Sequence, residues 1–266
     1  MSEYVGRGAW NPKGVGGTLK PQTLKGKRTI VSGPYYMLGG DSMQRVGLRA
    51  FLLKTAGRER EIELNELAVW HGVVALQVLL NGRGGSPCKI HGVFDEETDW
   101  AVREAQKQLG LTVDGIVGKN TMRAFMLPII KNVARGSMNQ DWHGIYGVLA
   151  NEGAFDPGAV GVLDSSDLGP AQINMPSHPN VSVSDAFCVS KSIQFVANLL
   201  AQGLNEFHDE RDAVASYNLG IGGTRMWIKA GRPDEWVPPW DNTGRSRNVK
   251  AYIDRILGQA DKDGVR

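Results

Sequence analysis

Apolar positions recur at helical spacing over residues 64–127 and again from 138 onward, while residues 1–60 show little of that period. The stretch Leu67 to Leu80 is the longest apolar run and predicts a helix ending in Leu76-Gln77-Val78-Leu79-Leu80. Ala101, Val102, Ala105 and Leu109 form a second stripe. Asp95 can cap that helix, Glu96 and Glu97 suit its positive first turn, and Gly110 ends it as a glycine just past a helix should. Further on, Asp141 to Asn151 predicts a helix that delivers Glu152 at its end. Lys191–Phe207 predicts a long amphipathic helix, Arg211–Leu219 another that carries Tyr217 and Asn218, and Arg247–Leu257 a closing one. In the first sixty residues, Thr29-Ile30-Val31 fits a short strand and Met43–Lys54 an amphipathic element with Val46, Leu48, Phe51 and Leu52 on its apolar side. The class is mainly α.

Breaks in the pattern divide the chain. Gly6, Gly8, Gly14, Gly16, Gly17 and Gly26 interrupt any regular element in 1–60, which reads as a Gly-rich arm. Residues 64–127 hold a weak repeat, Gly92-Val93-Phe94-Asp95-Glu96-Glu97-Thr98 and Gly115-Ile116-Val117-Gly118-Lys119-Asn120-Thr121, each copy preceding a helical pattern. Met126 to Gln140, with Pro128, Gly136 and Ser137, reads as a connection. The expected domains are 1–60, 61–128 and 138–266, so a fragment 138–266 should work alone.

Charge sharpens the division. Residues 1–60 hold eleven Lys or Arg against Glu3, Asp41 and Glu59, a balance of +8 within a net +2. Such segregation suggests a separate task for the arm, either as a loose linker or as an anchor on an acidic or multimeric partner. Aromatic and basic residues are not interleaved there as in single-strand binders, so nucleic acid is not expected as a partner. At 41% hydrophobic residues the composition is that of an ordinary globular chain. No run of about 18 apolar residues predicts a membrane span. No basic-then-apolar secretory pattern opens the sequence. Cys88 and Cys188 are expected as free thiols in separate domains, and neither has the neighbours of a metal site. No cofactor is expected.

Three segments carry chemistry. The first is Glu152-Gly153-Ala154-Phe155-Asp156-Pro157-Gly158-Ala159. The second is Ser165-Ser166-Asp167-Leu168-Gly169-Pro170-Ala171-Gln172-Ile173-Asn174, and the third is Ala215-Ser216-Tyr217-Asn218-Leu219-Gly220. Their order resembles the lysozyme-like lytic transglycosylases that cut peptidoglycan glycan strands, with E-S-x-F-x-P-x-A, G-L-M-Q-I-N-like and A-Y-N-x-G segments. Arg247–Leu257 resembles that family's final helix, which packs on the catalytic one. Two departures stand out: Gly153 replaces the usual Ser, and Pro170-Ala171 replaces Leu-Met. Residues 64–127 resemble the small three-helix peptidoglycan-binding domain. Asp114, Gly115, Gly118 and Thr121 match its D-G-x-x-G-x-x-T repeat, but the first copy has His91 for Asp and Asp95 for Gly. A helical packing module without a ligand is the plain alternative.

The resemblance implies a lysozyme-like α(+β) catalytic domain after a small three-helix wall-binding domain. It implies Glu152 as general acid and base on the glycosidic bond between MurNAc and GlcNAc. A carboxyl does this if burial beside apolar groups keeps it protonated. Small residues after Glu152 would leave room for sugar, with Phe155 and Tyr217 as walls, Gln172 and Asn174 on a sheet-like floor, and Asn218 beside Tyr217. Asp167 resembles the second carboxylate of animal lysozymes, which leaves open a catalytic role or a turn-capping one, with Asp164 a weaker candidate. Trp227, Trp236 and Trp240 could stack on sugar or anchor a core. Three readings stay open: a transglycosylase using Glu152 alone, a hydrolytic lysozyme using Glu152 with Asp167, and a glycan-binding virion protein without catalysis. Without a secretory signal, such an enzyme would reach the wall from a phage virion or from the host cytoplasm. In the virion case the partners are phage structural proteins bound through residues 1–60.

Overall fold

A computed structural model describes residues 57–83, 87–137, 141–161, 166–239, 244 and 246–265. Of the expected arm over 1–60, residues 1–56 lie outside them, with the expected strand at 29–31 and the whole amphipathic element at 43–54, as do Asp164 and Trp240, while residues 57–60 open the first helix. The helices are α1 (Gly57–Gly82), α2 (Glu96–Gln108), α3 (Lys119–Gly136), α4 (Trp142–Asn151), α5 (Val183–Phe187), α6 (Val189–Phe207), α7 (Glu210–Lys229), α8 (Val249–Leu257) and α9 (Gln259–Lys262). Two small antiparallel pairs complete the described fold: β1 (Asp167–Leu168) with β2 (Ile173–Asn174), and β3 (Glu235–Trp236) with β4 (Arg247–Asn248). The chain is mainly helical, as its periodicity predicts. No described helix is long and apolar enough to cross a membrane.

Two compact units emerge, and neither is continuous in sequence. One runs to Met126 and resumes over Gly153–Ser192; the other comprises Leu127–Glu152 and everything from Ile193. Residues 126–136 of the expected connection at 126–140 are instead the second half of α3. Its Pro128 sits on the exposed side, where water can serve the carbonyl its ring leaves unbonded. Ile130 and Ala134 are buried and carry the helical stripe past it.

In the first unit, the repeat is a duplicated glutamine clamp. Gln77 on α1 is fully buried, and its carbonyl accepts the backbone N–H of His91 (2.9 Å) and Gly92 (3.0 Å). Its amide donates to the Val93 carbonyl (2.9 Å) and Thr98 Oγ1 (3.0 Å). Gln106 on α2 repeats this with the N–H groups of Asp114 (3.2 Å) and Gly115 (2.9 Å), the Ile116 carbonyl (3.0 Å) and Asp114 Oδ1 (2.9 Å). Where Asp114 Oδ1 takes the Ile116 N–H at 2.8 Å, His91 Nδ1 takes the Val93 N–H at 3.2 Å. The histidine thus does the aspartate's work, while its Nε2 meets Asp95 Oδ2 at 3.0 Å. Asp95 also caps α2 by accepting the Thr98 N–H at 2.9 Å. Gly110 has φ 66°, the left-handed conformation expected just past the helix. Gln106→Leu should orphan the Asp114 and Gly115 N–H groups, at ~1–3 kcal/mol each, while the Ile116 carbonyl keeps the Thr121 hydroxyl at 3.1 Å. The expected result in urea denaturation is a loss of about 3 kcal/mol or more; a change under about 1 kcal/mol would mean the clamp is dispensable.

The returning segment 153–192 is built onto this unit. α1 packs on α5, where the His71 and Phe187 rings stack at 5.0 Å. Burial pushes the His71 pKa down to about 4, so the imidazole is neutral near pH 7 and stacks as an uncharged ring. A Cβ on Gly158 would lie 2.6 Å from the Ala68 carbonyl, so glycine permits that approach. Cys88 and Cys188 are free thiols, and both lie in this compact unit.

In the second unit, α8 and α9 pack on α4, and α8 also packs on α7. α4 follows the predicted pattern, with Ile145, Tyr146, Val148 and Leu149 fully buried. A Cβ at Gly147 would stand 1.9 Å from the Ile256 carbonyl, so α8 reaches α4 only because that position is bare. α7 covers the expected 211–219 and continues past a break at Gly220, whose φ of 70° and ψ of 163° are not helical. Buried Asp212 on α7 accepts two bonds from Arg232, at 3.0 and 2.6 Å.

Candidate active site

Glu152 sits where the periodicity places it. α4 is capped at its start by Asp141, which accepts the His143 N–H at 3.1 Å, and at its end by Glu152 itself, whose N–H bonds the Val148 carbonyl at 2.8 Å. The apolar length of α4 therefore anchors a carboxyl at its last turn. The Tyr252 hydroxyl on α8 donates to Glu152 Oε1 at 2.8 Å. Tyr252 is buried, and its pKa is pushed well above the usual tyrosine value, first by burial, then by the Glu152 charge and hydrogen bond, with a smaller push from Tyr217. The phenol therefore remains a donor to the carboxyl across the working pH range.

Sequence reasoning did not single out Tyr252. The signal was present: Val249, Tyr252, Ile253 and Ile256 form one buried stripe, and a hydroxyl on an aliphatic stripe needs a partner. Tyr217 and Asn218 occupy the last turn before the Gly220 break, and Tyr217 acts electrostatically on Tyr252. Asn218 is exposed, and Arg247 Nη1 donates to its carbonyl at 3.2 Å and its Oδ1 at 3.1 Å. Trp227 is a core anchor, not a sugar platform: it is 2% exposed and donates Nε1–H to the Pro233 carbonyl at 2.9 Å. Trp236 is half-buried on β3 opposite Arg247.

The remaining candidates lie in the first unit, on the segment that starts at Gly153. Gly153 is buried, and a Cβ there would meet the Pro170 carbonyl oxygen at 2.5 Å and its Cα at 2.6 Å. The small residue thus serves close packing on the β1–β2 loop rather than room for sugar. The Gly153 departure follows from the close approach of the backbone at Pro170. Ala154 and Phe155 follow with φ 52° and 61°, a left-handed turn that drives the Phe155 ring inward. Phe155 has no exposed surface and lies 6.0 Å under Lys119 Nζ, so it is core and not a glycan wall. Asp156 accepts the Gly158 N–H at 2.7 Å, and burial raises its pKa well above the carboxylate range.

β1 and β2 form a short antiparallel hairpin, with Asp167 opposite Asn174 and Leu168 opposite Ile173. Val160 bridges to Leu168 on the other edge. Gly169 has φ 72°, and a Cβ there would fall 1.8 Å from the Ala186 carbonyl. The Gln172 amide donates to the Gly169 carbonyl at 2.9 Å, bracing the loop. Asn174 Nδ2 donates to Asp167 Oδ1 at 2.9 Å and Ser166 Oγ at 3.3 Å, while its Oδ1 accepts the Ser177 N–H at 3.1 Å. Asn174 therefore ties the hairpin together instead of facing a ligand, and Asp167 is one of the groups it ties.

Residues 71–125 match the family model described as "Putative peptidoglycan binding domain", and residues 130–235 match that described as "Transglycosylase SLT domain". No curated protein matches the chain. The chain thus carries a peptidoglycan-binding domain followed by a transglycosylase domain. It is an enzyme of the lytic transglycosylase or lysozyme type acting on peptidoglycan, whose glycan strands it binds.

Proposed function

We propose that Glu152 alone is the general acid and base that cleaves the β-1,4 bond between MurNAc and GlcNAc. The carboxyl gives its proton to the bridging oxygen as the C1–O bond breaks. The resulting carboxylate then takes the proton of the sugar's own 6-hydroxyl, whose oxygen bonds to C1. No water is consumed, and the product ends in a 1,6-anhydro sugar. The observation that carries this reading is the 2.8 Å hydrogen bond from buried Tyr252, which fixes the orientation of the Glu152 carboxyl from a second helix. A solvated glutamate at a helix end has no such support. Tyr217, Asn218 and Gln172 are proposed as glycan contacts.

The alternative is a hydrolase that adds Asp167 as nucleophile or water-activating base. The hydrogen bond from Asn174 favours a structural task for Asp167. Asp167→Asn separates the two readings. On the single-acid reading, its kcat/KM on purified peptidoglycan stays within about threefold of wild type and its products keep anhydro ends, because the acid–base step is untouched. A fall comparable to that of Glu152→Gln would establish the two-carboxylate reading. The proposal extends to the setting: action on the bacterial wall during phage lysis or entry, with residues 1–60 docking on phage structural proteins in the virion case.

A further inference from the structure

We infer that Arg247 is a positioning residue that sets the Asn218 amide for substrate; the inference rests on the proposed glycan contact of Asn218. Asn218 lies in the last turn before α7 breaks at Gly220. A carbonyl at a helix break loses its partner in the next turn and needs a donor from elsewhere. Arg247 supplies it, and the same Nη1 also reaches the side-chain oxygen, at 3.2 and 3.1 Å. With Oδ1 held by the guanidinium, the Asn218 NH2 is turned outward as the donor end, the end that can meet a sugar hydroxyl or acetamide oxygen.

The strand that carries Arg247 is itself fixed. Glu235 Oε2 accepts the Ser246 hydroxyl at 2.5 Å, and its Oε1 accepts from Asn248 Nδ2 at 2.9 Å. These are the residues on either side of Arg247, so strand alternation turns Arg247 to the opposite side. Asn248 Oδ1 also caps α8 by accepting the Ala251 N–H at 2.8 Å. One segment, 247–252, therefore holds Asn218 through Arg247 and Glu152 through Tyr252. Glu152 is held for chemistry, Asn218 for binding.

The test is a double-mutant cycle in the full chain, with soluble uncrosslinked glycan strands from purified sacculi as substrate. Asn218→Ala should lower kcat/KM about tenfold, mainly through KM, as loss of a uniform binding contact does. Arg247→Ala should lower it by a similar factor with the same KM bias, and Arg247→Lys, with one point donor, should fall between. In the Asn218→Ala background, Arg247→Ala should change kcat/KM less than twofold. An equal fall in both backgrounds, or a wild-type KM for Arg247→Ala beside a damaged Asn218→Ala, would overturn the inference. If Asn218→Ala keeps wild-type KM, the glycan contact itself fails, and the single variant shows it. Thermal melting of each variant excludes unfolding; should Arg247→Ala melt below the assay temperature, Arg247→Lys carries the cycle.

Discussion

Glu152→Gln is expected to cut wall lysis by at least ~10²–10⁴-fold, the range for loss of a general acid, with the fold unchanged. The amide keeps the shape of the carboxyl and an oxygen to accept the Tyr252 hydroxyl, now 2.8 Å from Oε1. It has no proton to give to a leaving oxygen and no basic site to take one back. Circular dichroism and melting should match wild type, because α4 is anchored by Ile145, Tyr146, Val148 and Leu149 and not by its last side chain. A well-folded variant that clears sacculi at near the wild-type rate would remove Glu152 from the mechanism. Binding to sacculi should persist, since residues 71–125 match the peptidoglycan-binding family and contain no part of this chemistry.

A fragment starting at residue 138 is expected to lose activity as well. Sequence breaks suggest that such a fragment works alone, but the β1–β2 hairpin belongs to the same compact unit as the wall-binding helices. The cut removes Ala68, against which Gly158 packs, and His71, which stacks on Phe187. It also removes Lys119, which lies over Phe155. Uncovering Phe155 and Phe187 exposes rings worth ~1.5–3 kcal/mol each when buried. Without that cover the hairpin bearing Gln172 loses its support. The expected kcat/KM on soluble glycan strands is more than about tenfold below that of the full chain, with fast hydrogen exchange over 153–187, as in segments stripped of buried contacts. Soluble strands matter here, because they exclude mere loss of wall binding as the cause. A fragment with full-chain kinetics on them would show that the hairpin stands by itself.

Much of this was legible in residue order. The helical stripe over Asp141–Asn151 puts Glu152 at a helix end, and the Asp95 cap and Gly110 stop are visible as letters. Local rules suffice for these because both partners lie within a turn of each other. Long-range pairing was not legible. Tyr252 and Glu152 are one hundred positions apart, and no local pattern joins them. The odd residues were the best clues, and each has a contact that explains it. His91 and Asp95 depart from the repeat together, since one hydrogen-bonds the other, and Gly153 stands where the backbone at position 170 fills the space of a side chain. The Phe155 reading failed because two successive left-handed residues turn the ring inward, a conformation that Ala154 and Phe155 do not announce.

The most direct test is the mass of the muropeptides released from purified peptidoglycan by the wild-type chain. Glu152 acting alone predicts glycan ends carrying a 1,6-anhydro ring, with no oxygen incorporated from isotopically labelled water. Reducing ends heavier by one water, with label at C1, would contradict it and require a second group, with Asp167 the first to examine.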